Sequence, residues 1–466
     1  MPFDTFDLGL ARATIARALA RGGDFAEVFV EDRDGLALRL EDRRLEQVVG
    51  GRERGAGVRL LHDERTYYAY TDALDEASLC AAADAVAAAL RDPGASAPVD
   101  DLGPVRRDAG LHPVVLPPDQ VEVARKAALV HAADDEARAV GHEVAQVIAG
   151  YADARQEVLI VNSLGEVVRD TRTRTRLSVQ VVARRDAVIQ TGHETLGASR
   201  GFEVMDEAAV LAAAREAAHK ALAMLDARPA PMGAMPVVLA NGFGGTLFHE
   251  ACGHGLEADA VAKGASIYAG MMGELVAAPI VSAFDDGGVP NGWGSQAFDD
   301  EGVPTQKTRL IEDGRLAGYL YDRLRARQLG AAPSGNGRRQ SFRHVPIPRM
   351  TTTYIAPGAA TAEEVIAATP KGFYAKSLAG GQVEPASGAF VFGVAEGYLI
   401  ESGRVTAPLR GATLVGNGIQ VLKDIDMIAN DYEEKSGVCG KDGQGVPVGT
   451  GQATLRVSAM TVGGTG

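Results

Sequence analysis

The chain has 466 residues, of which 46% are hydrophobic and 23% charged, a balance typical of a globular protein and not of a disordered one. This length exceeds one ordinary hydrophobic core, so two or more domains are expected. The formal net charge of −14 disfavours general binding to a nucleic-acid backbone. Three cysteines are too few for a disulfide framework, and no run of about 18 apolar residues predicts a membrane-spanning helix.

The first 20 residues intersperse charged side chains among short apolar stretches, so we expect no secretory signal. The expected compartment is the cytoplasm, where thiols stay reduced and a cysteine is free to bind a metal. We therefore expect neither a membrane nor a nucleic acid as a partner. The one basic cluster, Arg172, Arg174 and Arg176, has the spacing of one strand face, and its simplest interpretation is a solvated face.

The first half of the chain alternates helical and strand-like segments. Apolar spacing and flanking glycines or acidic residues predict helices over residues 7–19 and 75–90, one opening at Pro118 and Asp119, and one over 206–225. Strand pairs are predicted over residues 26–40, with a turn at Asp34-Gly35, and over 57–70, with a turn at 62–64. Residues 144–195 also read as strands, with a turn at 163–165.

A cluster of prolines between residues 227 and 236 predicts a domain boundary. The fold class predicted is α+β. Residues 1–228 would form an N-terminal domain of antiparallel strands with flanking helices. Residues 229–466, which are dense in glycine and short strands, would form a β-rich domain that carries one informative helix.

That helix contains His249-Glu250-Ala251-Cys252-Gly253-His254. A zinc peptidase needs imidazole or thiolate ligands and a nearby carboxylate that takes a proton from water. His249 and Glu250 can supply one ligand and the base. The usual motif spaces its histidines four apart, whereas His254 is five residues after His249, which places the two about 140° apart on a regular helix. We therefore expect the helix to end or distort at Gly253.

Two histidines do not complete a metal site, and two cysteines could supply a third ligand. Cys252 lies three residues after His249, close to the same helix face. Cys439 lies in a glycine-rich segment that is remote in sequence but can fold back. Residue chemistry alone leaves the choice open, although an isolated cysteine such as Cys252 is more often a small buried hydrophobic residue.

Two further features have competing interpretations. The acidic run Asp299-Asp300-Glu301 can orient a metal-binding histidine, but a polar turn closed by Gly302 is the simpler prediction. The single tryptophan, Trp293, can line a substrate groove, but a loop aromatic that covers a core is the commoner case.

With these motifs, the chain resembles the TldD/PmbA family of metallopeptidases, and in particular its catalytic, TldD-type members. The likeness covers most of the C-terminal half and more loosely the N-terminal half. The segments that carry it are residues 249–254, 298–302, 310–314, 349–354, 398–403, 439–444 and 460–464, with 161–165 in the first half.

The resemblance implies zinc held by His249, His254 and Cys439, with Glu250 as the base that activates zinc-bound water. It favours Cys439 over Cys252 as third ligand. It also implies cleavage of unstructured peptides or leader peptides, degradation of labile antitoxins among family roles, and a PmbA/TldE-like partner subunit or a homodimer. We further expect the substrate to lie extended along a sheet edge.

Two other functional classes remain open at this stage. One is a peptide-binding assembly subunit with a structural zinc site, which a closed set of four ligands including Cys252 would favour. The other is a metal amidase of the deformylase kind, against which the length and the second domain argue. A nucleobase deaminase is disfavoured because no Pro-Cys-x-x-Cys follows the His-Glu pair.

Overall fold

The computed structural model describes residues 6–90 and 94–464. The two predicted domains are residues 1–228 and 229–466. Residues 1–5 and 91–93 of the first and 465–466 of the second lie outside the described residues. The fold is a strand-rich mixture of helices and sheets, which confirms the predicted α+β class.

Three of the four helices predicted in the first half lie where expected, and each begins at an aspartate whose side chain accepts a backbone N–H of the first turn. The fourth, predicted to open at Pro118 and Asp119, begins at Val123, because Pro118–Gln120 forms only a short 3₁₀ turn. The helices are α1 (Leu8–Ala18), α2 (Glu76–Ala89), α3 (Val123–Ala139), α4 (Glu207–Ala223), α5 (Gly245–Ala251), α6 (Ala258–Ala262), α7 (Arg323–Gln328), α8 (Ala362–Ala367) and α9 (Gly418–Lys423). In the described part of the chain, none of them combines the length and apolar character needed to cross a bilayer.

The first half forms one seven-stranded, mostly antiparallel sheet in the order β3-β2-β1-β5-β6-β4, with β7 also paired to β6. Its strands are β1 (Phe25–Glu41), β2 (Arg44–His62), β3 (Arg65–Thr71), β4 (Val105–Arg107), β5 (Val144–Asn162), β6 (Val167–Arg185) and β7 (Val188–Ala198). Helices α1 and α2 share one apolar cluster with this sheet, and α3 and α4 share another.

The predicted turn at Asp34-Gly35 is wrong. Strand β1 runs through it, and the chain reverses at Asp42 and Arg43, both at positive φ. Both edges of β1 are paired along this stretch, with β2 and with β5. Gly35 allows close approach, because a Cβ there would lie 2.9 Å from the carbonyl oxygen of Asp153. The turn predicted at residues 62–64 is confirmed, with Asp63 at positive φ between β2 and β3.

The second half contains short strands in three further sheets. They are β8 (Arg228–Pro229), β9 (Gly233–Leu239), β10 (Ala283–Asp286), β11 (Lys307–Glu312), β12 (Arg315–Leu316), β13 (Gly337–Arg338), β14 (Ile347–Pro348), β15 (Thr352–Ile355), β16 (Lys371–Glu384), β17 (Ala389–Glu401), β18 (Arg404–Arg410), β19 (Ala412–Asn417), β20 (Ile425–Ile428), β21 (Glu433–Lys441), β22 (Gln444–Gln452) and β23 (Leu455–Gly464).

Strands β16, β9, β23, β19 and β17 pair in a closed ring. A six-stranded sheet, β12-β11-β10-β15-β22-β21, lies in the same half and ends at the edge strand β21. Helix α5 packs between these sheets, since Phe248 and Cys252 belong to the largest apolar cluster, which also contains Phe373 and Val448. The two sheets therefore fix the helix that carries the histidine motif.

The two halves are joined by a separate apolar cluster that brings Phe298 and Phe342 of the second half against strands β1, β5 and β6. The seven-stranded sheet is built within residues 25–198, whereas β8 at 228–229 already pairs with β18 of the second half. The division of the chain between residues 228 and 229 stays a prediction.

Candidate metal centre

The helix of the histidine motif ends where the five-residue spacing requires it. Helix α5 stops at Ala251, Cys252 leaves helical geometry with φ −126° and ψ −49°, and Gly253–Leu256 forms a short 3₁₀ turn. A Cβ at position 253 would lie 2.2 Å from the Sδ of buried Met350, so any other residue there would displace that side chain. The predicted break at Gly253 is confirmed, and it brings the rings of His249 and His254 to a centroid separation of 5.3 Å.

Cys439 reaches the same place from strand β21. Its Sγ lies 3.4 Å from the Nε2 of His254. His249, His254 and Cys439 each offer one ligand atom, and these atoms lie within 4.8 Å of one another. The structure thus brings together the three residues predicted as metal ligands, although Cys439 is 185 positions from His254 in the chain.

The outer ring nitrogens of both histidines have buried partners. The Nδ1 of His249 lies 3.1 Å from the Oγ1 of Thr353, and the Nδ1 of His254 lies 2.8 Å from the Oε2 of Glu257. The Nζ of Lys441 donates to the same glutamate oxygen over 2.9 Å. These contacts leave the two Nε2 atoms facing Cys439, which is the orientation that metal-binding histidines take when their second nitrogen is held.

Sequence reasoning missed Glu257, Thr353 and Lys441. A signal existed for each. Glu257 lies one helical turn after His254, and Lys441 lies two residues after Cys439, whereas Thr353 falls in a segment noted only as a family likeness. None of the three stood out because glutamates, threonines and lysines at such spacings are common on surfaces.

The centre is electrostatically prepared for a cation. Burial by itself raises the pKa of the Cys439 thiol, but hydrogen bonds from His249 and His254 outweigh burial and the pKa falls to about 5. Burial likewise disfavours charge on His254, yet Glu257 and Cys439 raise its pKa to about 11. The pKa of Glu257 falls to about 2, against the effect of burial, because His254 and Lys441 are so close. Thiolate and carboxylate therefore both favour positive charge at this position.

Glu250 extends from the last turn of α5 toward the same point. Its Oε2 lies 3.7 Å from the Nε2 of His254, and its side chain is 30% exposed, whereas His249 is only 2% exposed. The carboxylate therefore lies between solvent and the three candidate ligands. It is off the ligand set but near enough to reach water bound there.

Cys252 takes no part in this cluster. It is fully buried, and burial raises the pKa of its thiol to about 12. The expectation that Cys252 is a buried, small hydrophobic residue is confirmed. A closed set of four ligands that includes this thiol does not form.

The residues present fit a zinc ion. Two imidazole nitrogens and one thiolate are a donor set that zinc accepts, and three protein ligands leave a position for water or substrate, as in catalytic zinc sites. An all-oxygen set, which magnesium or calcium would need, is not what the cluster offers.

The comparisons with known proteins show the family of this chain. Residues 26–90, 116–225 and 232–464 match family models described as PmbA/TldA metallopeptidase domain 1, central domain and C-terminal domain. The "Metalloprotease TldD homolog" of Haemophilus influenzae is 40% identical over 456 residues, covering 96% of this chain and 94% of that protein. The chain belongs to the PmbA/TldD metallopeptidase family. It is a metallopeptidase, and its family implies a metal cofactor.

Solved structures of this fold agree over the full length. A structure from Thermotoga maritima superposes with a TM-score of 0.81 at 24% identity, covering 98% of this chain and 99% of that one. TldE from Thermococcus kodakarensis superposes with a TM-score of 0.78 at 19% identity, covering 98% and 99%. At these identities, the likeness shows the shared PmbA/TldD fold alone.

The acidic run does not orient a histidine. Asp299 accepts backbone N–H groups, among them that of Gly337, and Asp300 pairs with Arg172 at 2.5 Å. Glu301 pairs with Arg59 from the first sheet. The predicted turn closed by Gly302 is confirmed, at φ 76°, but it is buried and links the two halves of the chain.

The arginines of β6 are not a solvated face, so that interpretation was wrong. Arg172 is 5% exposed, and Arg174 and Arg176 are partly buried. All three line a cavity, because the second half of the chain covers this part of the sheet. Trp293, which is 8% exposed, lines the same cavity, and its Nε1 donates to the carbonyl of Gly437 over 2.8 Å.

The strand that carries Cys439 is held by a buried arginine. Arg349 is fully buried and donates from Nη2 to the carbonyl of Cys439 over 2.5 Å and from Nη1 to the carbonyl of Gln444 over 3.3 Å. One guanidinium thus links the two strands β21 and β22 at the cysteine. This link fixes Cys439 relative to Thr353 on β15, the strand next to β22.

Proposed function

We propose that this metallopeptidase is a zinc enzyme that cleaves unstructured peptides, leader peptides among them, with His249, His254 and Cys439 as zinc ligands and Glu250 as general base. The observation that carries the proposal is the convergence of two histidines, a cysteine and an off-ligand glutamate, with both outer ring nitrogens already bonded.

A zinc ion held there supplies Lewis acidity to the scissile carbonyl and to a water molecule. The chain's own residues do the rest. Glu250 takes a proton from the attacking water and passes it to the leaving amine nitrogen. Thr353 and Glu257 hold the outer ring nitrogens of His249 and His254, and so fix the orientation of the two imidazoles. Lys441 keeps Glu257 ionised and in place.

The burial of the centre supports an unstructured substrate. The three ligand residues are largely enclosed, and Glu250 is the partly exposed group. An extended segment can reach such a recessed point, whereas a folded surface cannot. Cys439 also lies on β21, the edge strand of its sheet, where an extended peptide can add backbone hydrogen bonds with little demand on side chains.

A partner subunit is part of the proposal. The fold is shared with TldE of Thermococcus kodakarensis, so we propose a TldE-like partner or a second copy of this chain in the active assembly. We place the enzyme in the cytoplasm, because the ligand Cys439 is a free thiol and needs a reducing compartment.

The test compares zinc-loaded wild type with Glu250→Gln of equal zinc content. The substrate is a small disulfide-bonded protein, offered native and after reduction and alkylation. Cleavage of the unfolded form alone by the wild type, lost at least 1,000-fold in Glu250→Gln, is expected from removal of the base. Glu363→Gln, on the exposed start of α8, removes the same charge and should leave cleavage unchanged. Equal cleavage by Glu250→Gln would remove that residue from the mechanism.

The ligand set has its own test. Cys439→Ala should bind zinc at least tenfold more weakly by competition with a chelator, whereas Cys252→Ala should bind it as the wild type does. If Cys252→Ala lost zinc and Cys439→Ala did not, Cys252 would be the third ligand in place of Cys439.

A further inference from the structure

A cavity of about 430 Å³ lies between the first sheet and the strand pair β21–β22, which carries Cys439. Among the residues that the structure describes, six arginines and two aspartates line it. The arginines are Arg33, Arg172, Arg174, Arg176, Arg338 and Arg339. Val438, which also lines the cavity, is 60% exposed, so the cavity opens to solvent on that side.

Three of these six arginines already have an ionic partner or contact solvent. Arg172 pairs with Asp170 and Asp300, Arg339 pairs with Glu27, and Arg33 lies at the exposed rim. The other aspartate of the wall, Asp153, pairs with Lys126. No carboxylate of the cavity is therefore left over for the remaining arginines.

Those three arginines, Arg174, Arg176 and Arg338, form no ion pair with any residue that the structure describes. Arg174 donates only to the carbonyls of Trp293 and Ser295, at 3.2 and 3.4 Å. Arg338, which is 2% exposed, donates to the carbonyls of Met350 and Pro447.

Their unmet hydrogen-bonding capacity is also visible. The Nε atoms of Arg176 and Arg338 are buried without a hydrogen-bond partner among the described residues. The guanidinium of Arg176 lies over the ring of Trp293, 5.9 Å from its centroid, which holds the charge in the cavity.

This arrangement is unfavourable without an anion. Burial, together with repulsion from Arg172 and Arg338, lowers the pKa of Arg174 to about 9. Burial also lowers the pKa of Arg338 to about 10, aided by Arg349 and Arg172. Buried cations are costly unless paired, and guanidinium groups pair best with planar, two-oxygen anions.

We propose that this cavity binds a carboxylate group of the peptide substrate, held by Arg174, Arg176 and Arg338. The rest of the wall favours an organic anion over a hydrated inorganic one, because Val446, Pro447 and the ring of Trp293 offer apolar surface beside the guanidinium groups. The proposal rests on the peptidase function proposed above.

The position of the cavity connects it with that function. Val438 precedes Cys439 on β21, and Val446 lies opposite Cys439 in the register of β21 and β22. A peptide that places its carboxylate here lies against the strand pair that carries Cys439. The cavity would therefore select peptides that carry an acidic side chain or a C-terminus at a fixed distance from the cleaved bond.

The experiment uses Trp293, the single tryptophan of the chain, as a fluorescent reporter in the cavity. The probes, titrated into the full-length zinc-loaded chain, are acetyl-Ala-Ala-Ala with a free C-terminus, its C-terminal amide, and acetyl-Ala-Glu-Ala-amide. Inorganic phosphate is the fourth probe. Saturable binding of either carboxylate probe, with the neutral amide at least tenfold weaker, is expected, and the two carboxylate probes distinguish a C-terminal from a side-chain source.

The variants Arg174→Gln and Arg176→Gln should each weaken carboxylate binding at least tenfold. Both should fold as stably as the wild type, since each removes a cation without an ion pair. Arg404→Gln, at the exposed start of β18, is the matched control and should bind as the wild type does. If one arginine variant fails to fold, the other still tests the site.

A binding readout keeps this proposal separate from the peptidase function, because fluorescence reports occupancy without cleavage. Phosphate binding without carboxylate binding would overturn the assignment to peptides, and absence of binding by all four probes would overturn the site. With a cleavable peptide, Arg174→Gln should raise KM at least tenfold and leave kcat near the wild-type value. An unchanged KM in a chain that does cleave would also overturn the proposal.

Discussion

The Nδ1 of His254 lies 2.8 Å from the Oε2 of Glu257, whose carboxylate is buried beside the ammonium of Lys441. This pair fixes which nitrogen of His254 faces the cluster. It links the candidate metal centre to the start of α6, a short helix whose position depends on contacts made elsewhere in the second half.

Replacing that glutamate should weaken metal binding. In Glu257→Gln, the amide accepts a weaker hydrogen bond from His254 and no longer balances Lys441, so we expect zinc affinity to fall about 10–100-fold. Chelator competition at constant pH measures this. Glu274→Gln, at an exposed position, is a charge-matched control, and an unchanged affinity in Glu257→Gln would show that the Glu257 carboxylate is not needed to hold His254.

Removing the guanidinium that links β21 and β22 should affect both stability and the cysteine ligand. Arg349→Met leaves the buried carbonyls of Cys439 and Gln444 without these donors, at a cost of about 2–5 kcal/mol in the free energy of unfolding. Urea denaturation measures that cost. Zinc affinity should fall as well. Arg349→Lys should restore only part of the stability and part of the zinc affinity, because an ammonium group cannot donate to both carbonyls as a planar guanidinium does. Full rescue by lysine would contradict this account.

The buried ion pairs between the two halves should matter more than exposed ones. Asp300→Asn takes from buried Arg172 one of its two carboxylate partners, leaving only Asp170, and we expect a loss of about 3 kcal/mol in the free energy of unfolding. Asp426→Asn breaks a pair with Arg456 in which the aspartate is 40% exposed, and should cost about 0–1 kcal/mol. Similar losses in both variants, measured by chemical denaturation, would be evidence against the structural role of Asp300.

Glu434 should make stability depend on pH near neutrality. Burial, with a smaller contribution from Asp286, raises its pKa from 4.5 to about 7. The folded chain therefore holds this proton more tightly than the unfolded chain. The resulting stability is complete below pH 4.5 and is lost as the pH rises through about 7.

Glu434→Gln removes this dependence. We expect the variant to be about 3 kcal/mol more stable than the wild type at pH 8 and to differ little at pH 4. Thermal unfolding across that range is the measurement, with Glu363→Gln as an exposed control. Parallel curves for wild type and Glu434→Gln would show that folding leaves the pKa of this carboxyl at its ordinary value.

The sequence by itself determined the local features of this protein. Apolar spacing and acidic caps were enough for α1, α2 and α4, because a helix with a capped start is decided by neighbours within a few residues. The five-residue spacing of His249 and His254 likewise required the helix to break, since a regular helix turns them apart. The family was also recognisable from its motifs.

Only the tertiary structure decided what depends on distant segments. Residue chemistry left Cys252 and Cys439 open as third ligand. The fold brings Cys439 on strand β21 to His254 and leaves Cys252 buried outside that cluster. The turn expected at Asp34-Gly35 does not form, because β1 is paired on both edges there. The arginines of β6 looked solvent-facing because nothing local shows that another half of the chain covers them; burial is a property of what packs from outside the segment.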